Sequence, residues 1–160
     1  MSTRAPQAVA APAVGAPSRP LPTLTPETFP FFTGGRHGEL LIYRCGDCKY
    51  WSHPPAPRCP ECLSATMGPE PASGHGTVAS FTVNWHPWHP AFPPPYVIAI
   101  VELAEQPGLR LTTSLVNCAV DGVRVGMPVM VTFEPAGDIY LPVFGPGSSG
   151  RQADKPGAGR

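Results

Sequence analysis

Charge is scarce in this sequence. Only 14% of its 160 residues are charged, 11 of each sign, so the formal net charge is zero, and Lys49 and Lys155 are the only lysines. The lack of a basic excess excludes nucleic-acid binding driven by phosphate neutralisation and counterion release. It equally excludes an electrostatic binder of anionic membranes. Long apolar runs are missing too, and none approaches the ~20 residues that span a bilayer. Met1–Pro20 is rich in Ala and Pro but has no continuous apolar stretch of the secretory-signal kind, so the expected compartment is cytoplasmic. Catalytic fingerprints are absent as well: there is no G-x-S-x-G elbow, no P-loop and no dinucleotide glycine motif. The acids Glu102, Glu105, Asp121, Glu134 and Asp138 fall in strand or turn patterns, where a solvent-facing position accounts for them. No catalytic residue is assigned, and an independent enzyme is not expected.

What the sequence has in excess is 17 glycines and 24 prolines, about a quarter of the chain. That is the level at which a chain without a repeat begins to look disordered. Disorder, however, combines low hydrophobicity with high net charge, and this chain is 42% hydrophobic and neutral. So many prolines also forbid long helices. A small, loop-rich, mostly β protein remains. Residues 1–24 read as a disordered arm, 25–70 as a helical turn and a metal ribbon, 71–146 as a barrel, and 147–160 as a flexible tail.

In the first ordered section, Thr25 or Thr28 caps a short helical turn through Phe29, Phe31 and Phe32, which Pro30, Gly34 and Gly35 keep short. A strand-like run, Leu40–Tyr43, leads into Cys45. The second section is strand after strand. In Thr77–Asn84, strict alternation puts Val78, Ser80 and Thr82 on one face and Ala79, Phe81 and Val83 on the other. Tyr96–Leu103 is a β-branched run ended by the turn Glu105-Gln106-Pro107-Gly108, and Leu109–Val116 follows at hairpin distance. Pro128–Glu134 and Asp138–Phe144 form another hairpin across Pro135-Ala136-Gly137. Five strands in about 70 residues suit a small closed barrel, with the OB-fold leading.

The strongest local signal is Cys45-Gly-Asp-Cys48 and Cys59-Pro-Glu-Cys62, two C-x2-C knuckles ten residues apart. Each knuckle presents two sulfurs from one tight turn, and two knuckles complete the tetrahedral thiolate shell that Zn²⁺ prefers. Four protein ligands leave no open position, so the site reads as structural zinc under a ribbon too small for its own core. A rubredoxin-like iron and redox dithiols are the alternatives. Cys118 lacks a neighbouring His or Cys and reads as a core thiol.

In this order the pieces resemble a family of acyl-CoA-associated proteins, domain-of-unknown-function family thirty-five, over roughly 29–146. The resemblance rests on Pro30-Phe31-Phe32, Gly38-Glu39-Leu40, both knuckles with Cys62-Leu63-Ser64, the run Ser73-Gly74-His75-Gly76-Thr77-Val78, Pro95-Tyr96-Val97, and Val125-Gly126-Met127-Pro128-Val129. It implies a mostly β fold: an N-terminal short helix and rubredoxin-like zinc ribbon followed by a five-stranded OB-fold barrel. It also implies a non-catalytic partner of thiolase-like enzymes: thiolases, hydroxymethylglutaryl-CoA synthase in archaea, or lipid-transfer-protein-like retro-aldolases that cut steroid side chains. Such partners bridge subunits and help hold a CoA thioester, and a 2:2 heterotetramer is the expected assembly. One departure is Phe144-Gly145-Pro146, where the family often carries Phe-Arg-Pro.

The most unusual stretch is Trp85-His86-Pro87-Trp88-His89-Pro90, followed by Phe92 and three prolines. It follows the first barrel strand, where OB-folds commonly bind ligands. Trp85, His86, Trp88, His89 and Phe92 are therefore the candidates for partner or ligand contact. The bland alternative is a stiff loop whose Trp rings cap the barrel. A metal at His86 and His89 lacks a third ligand nearby, and His37, His53 and His75 are expected at the surface. A zinc-ribbon and OB-fold module for nucleic acid is the second functional reading, opposed by the missing basic excess.

Overall fold

The computed structural model describes residues 19–147. The arm expected over 1–24 and the tail over 147–160 therefore lie mostly outside the described residues. Helix α1 (Phe29–Thr33) opens the fold. It starts where Thr25 and Thr28 exchange backbone and hydroxyl hydrogen bonds, Thr25 N–H donating to Thr28 Oγ1 at 2.9 Å. A 3₁₀ turn, Gly34–His37, continues it, and Gly38 at φ +74° stops it in the left-handed region that glycine adopts without strain.

Strands β1 (Leu40–Cys45), β2 (Trp51–Ser52) and β3 (Met67–Ala72) form an antiparallel sheet in the order β2-β1-β3. The sequence reading places no strand over β3, which carries Pro69 and Pro71. Both lie at positions of the same parity, opposite Tyr43 and Leu41. Their missing N–H groups then belong on the free edge, the one place where a strand tolerates proline.

The barrel comprises β4 (His75–Asn84), β5 (Tyr96–Leu103), β6 (Arg110–Leu115), β7 (Pro128–Ala136) and β8 (Ile139–Pro146), closed in the order β4-β5-β6-β8-β7. Pairing of β7 back onto β4, and the parallel contact between Leu115 of β6 and Phe144 of β8, give OB-fold topology. Two details depart from the sequence reading. A bulge between Val78 and Ser80 shifts the phase of β4, so Val78 shares the inner side with Phe81 and Val83 while Ser80 and Thr82 face out. The β7–β8 pairing also runs through Pro135 and Ala136, leaving a tighter turn at Gly137, φ +67°.

Leu40, Ile42 and Trp51 of the ribbon join Val97, Val101, Leu115 and Phe144 of the barrel in one buried cluster, which also contains Cys118. Cys118 is thus the core thiol expected of it, and burial pushes its pKa up. Among the described residues, no helix is long and apolar enough to cross a membrane.

Candidate functional site

The two knuckles have matching backbones. Cys45 N–H donates to Tyr50 C=O, and Cys59 N–H donates to Ser64 C=O. Lys49 N–H returns to Cys45 C=O at 3.1 Å, and Leu63 N–H returns to Cys59 C=O at 2.9 Å. Four residues after each first cysteine the chain turns left-handed, at Lys49 (φ +66°) and Leu63 (φ +62°). Gly46 keeps the first knuckle uncrowded, because a β-carbon there would stand 2.6 Å from the Thr66 methyl, which would have to turn away.

This symmetry brings the four sulfurs of Cys45, Cys48, Cys59 and Cys62 within 4.8 Å of one another. The Cys45–Cys62 and Cys48–Cys59 sulfurs are 3.7 and 3.5 Å apart. A tetrahedron with Zn–S bonds of about 2.3 Å has edges of about 3.8 Å, so the donor set fits zinc. Its electrostatics agree. The Cys48 N–H holds the Cys45 thiol down at about 6 against the cost of burial. At Cys48 the Tyr50 N–H also favours the thiolate, but burial and the neighbouring sulfurs outweigh it and push the thiol to about 12. Four thiolates so close repel unless a divalent cation sits between them. Bound there, zinc would cross-link the two turns. Cys45 and Cys59 are buried and Cys48 and Cys62 exposed, so the centre lies at one end of the ribbon.

The β5–β6 turn joins this ribbon to the barrel. Gln106 accepts a hydrogen bond from Trp51 N–H at 3.0 Å and donates one to Trp51 C=O at 3.2 Å, acting as a further strand on the β2 edge. Neighbouring Glu105 accepts the Ser73 N–H at the chain's crossing into the barrel, and its Oε2 is buried with no hydrogen-bond partner among the described residues. Expected as a solvent-facing acid, Glu105 is instead part of the joint. Glu134 also departs from that expectation: it holds Arg19 at 2.7 Å, and Arg19 lies over the Phe92 ring at 5.3 Å. The sequence carries no local signal for these contacts, since each links residues far apart in the chain.

The Trp–His–Pro loop divides into two sets. His89 Nδ1 accepts the Ala91 N–H, and Phe92 packs beside His89 and Tyr96, with Ala91 buried beneath. These residues brace the loop. Trp85 and Trp88 are 53% and 72% exposed, with His86 edge-on to Trp88 at 4.6 Å. Trp88 therefore stands largely in solvent. Among the described residues the four cysteines are the only cluster fit for a metal, so His86 and His89 are not brought into one. His37 and His75 are exposed as expected. His53 is not: it is half-buried against Phe31, 4.9 Å between ring centres, and burial holds its pKa below the usual 6.5. Arg19, Arg36, Arg44 and Arg110 are each paired with a carboxylate, which leaves little free positive charge for a phosphate backbone.

Sequence models of two domains match end to end: the ChsH2 rubredoxin-like zinc ribbon domain over residues 32–68 and the ChsH2 C-terminal OB-fold domain over 69–134. Among solved structures, the chain resembles one titled Ltp2-ChsH2(DUF35) aldolase, with TM-score 0.71 and 42% identity, covering 79% of this chain and 98% of that one. The chain belongs to the DUF35 family. A DUF35 domain-containing scaffold protein of Methanocaldococcus jannaschii is 36% identical over 96 residues, covering 59% of this chain and 67% of the relative. A probable enoyl-CoA hydratase alpha subunit of Thermomonospora curvata is 43% identical over 129 residues, 80% of this chain but 40% of that protein. The chain thus spans less than half the length of that subunit. Membership in the family bears out the zinc-ribbon and OB-fold reading and the structural role of the four-cysteine centre. At Gly145 a β-carbon would sit 3.3 Å from Val116 C=O.

Proposed function

We propose that this chain is a non-catalytic subunit that binds and stabilises a thiolase-like or lipid-transfer-protein-like enzyme acting on acyl-CoA thioesters, a thiolase or a steroid side-chain retro-aldolase. The observation that carries the reading is the near-complete overlap with the DUF35 chain of a solved aldolase. The sulfur cluster supports it, because four protein ligands make a scaffold rather than a reaction centre. Trp88, with Trp85 and His86 beside it, is the docking element. His89 and Phe92 hold the loop in a preformed shape, which lowers the ordering cost of association. The assembly is a cytoplasmic 2:2 heterotetramer, and the CoA thioester is held with help from this subunit.

Co-expression with a candidate enzyme tests the proposal. The pair should co-purify at 2:2 by light scattering, and the enzyme's thermal stability should rise when the subunit is present. Trp88→Ala should weaken the complex by at least tenfold, as loss of an aromatic hot spot costs about 2 kcal/mol or more, while this subunit's own melting temperature stays unchanged. No affinity for any thiolase-like enzyme would sink the functional reading. Undiminished affinity in a Trp85→Ala/Trp88→Ala double variant would sink the docking assignment alone.

A further inference from the structure

A cleft of about 440 Å³ opens where α1, the ribbon loop after β2 and the barrel meet. Its walls are apolar: Phe31 and Phe32 from the helix, Pro54 from the ribbon loop, and Ile98, Leu141 and Val143 from the barrel. Three polar side chains face this space with hydrogen-bonding capacity to spare. His53 packs at a tilt against Phe31, and its imidazole has no hydrogen-bond partner among the described residues. The hydroxyls of Thr112 and Ser114 have none either, whereas buried Thr113 is committed to Pro142 C=O at 2.8 Å. Burial disfavours the charged form of His53, and in the neutral form one ring nitrogen donates and the other accepts.

The charge of the cleft narrows what fits. Arg19 is the only formally charged lining residue, and Glu134 neutralises it at 2.7 Å while Phe92 covers one face. An anionic group would find no free cation there. The volume lies within the range of small-molecule sites, and the balance of apolar wall to a few convergent polar groups is that of a ligand pocket.

We propose that this cleft is a binding site for a neutral, mostly apolar small molecule bearing a hydroxyl or carbonyl group, which hydrogen-bonds to His53 and Ser114. This goes beyond the scaffolding role, because every group the cleft offers to the ligand comes from this chain. It is also distinct from holding CoA, whose phosphates the cleft has no free charge to meet.

The zinc-loaded full chain should be titrated with 2-naphthol, naphthalene and 2-naphthoate by ligand-observed NMR, with calorimetry for the soluble probes. Saturable 2-naphthol binding is expected, with 2-naphthoate weaker, and the His53 imidazole resonances should shift on addition of 2-naphthol. His53→Phe keeps an aromatic ring against Phe31 but removes both nitrogens. It should weaken 2-naphthol by about two- to tenfold, the worth of one net hydrogen bond, and leave naphthalene unchanged. Ser114→Phe, with fold checked by zinc content and thermal melting, should abolish binding of both neutral probes by filling the cleft. No saturable 2-naphthol binding, tighter binding of 2-naphthoate than 2-naphthol, or unchanged binding in a folded Ser114→Phe protein would each overturn the proposal.

Discussion

Replacing Gln106 with Ala should loosen the joint between ribbon and barrel. Strand β2 is the edge of the ribbon sheet, and Gln106 covers that edge with one bond from Trp51 N–H and one to Trp51 C=O. Each bond is worth about 1 kcal/mol net, and removing the amide also leaves two backbone groups of buried Trp51 unpaired, so the expected loss is about 2–3 kcal/mol. At about 3–5 °C per kcal/mol for a fold of this size, the melting temperature should fall by about 6–15 °C. The opened edge lies between the two knuckles, so zinc should also pass faster to a competing chelator. Gln106→Glu preserves an acceptor for Trp51 N–H but places a carboxylate oxygen against Trp51 C=O, and it should be no less damaging. Thermal unfolding followed by circular dichroism, alongside zinc transfer to a chromogenic chelator, reads both effects. A melting temperature within about 1 °C of the parent, with unchanged zinc transfer, would refute the reasoning. Apolar packing of Leu40, Ile42 and Trp51 would then hold the ribbon alone.

The other predictions concern the metal centre, a half-buried histidine and a strained turn. Elemental analysis should find one zinc per chain, and Cys59→Ser should abolish tight binding and melt the ribbon. Structural zinc contributes on the order of 10 kcal/mol in small ribbons, as much as the whole stability of a domain. Burial lowers the pKa of His53, so below its ordinary value of 6.5 the unfolded chain takes up a proton that the folded one resists. Stability should therefore fall as pH drops below 6.5, and His53→Phe should flatten that slope in melts between pH 5 and 7.5. Leu63 is 69% exposed and sits at φ +62°. Leu63→Gly relieves the left-handed strain and should stabilise the ribbon by about 1 kcal/mol in denaturant titrations, whereas Leu63→Val should lower stability.

Much of the site was readable from spacing because its chemistry is local. A C-x2-C turn aims two sulfurs at one point whatever surrounds it, so Cys45, Cys48, Cys59 and Cys62 could be named before any fold was known. The five barrel strands were legible for a similar reason, since β-branched runs between turn residues declare themselves over a few positions. Where the reading slipped, a neighbour in space had overruled a local preference. Prolines 69 and 71 are breakers until β1 supplies a strand for their outer edge to back away from. The alternation in Thr77–Asn84 holds only until pairing with β5 inserts a bulge. Glu105 and Glu134 look like solvent-facing acids, and partners 32 and 115 residues away make them structural.

By itself, then, the sequence determined the metal centre, the five barrel strands and the neutral, proline-stiffened character of the chain. Those depend on residue type and short spacing. Tertiary structure alone decided that Gln106 closes the ribbon edge, that Phe92 and His89 brace a loop while Trp88 stands clear, and that His53 lines a cleft. Each of these arises from surfaces brought together by packing one shared core. Packing complementarity between distant segments leaves no periodic trace along the chain.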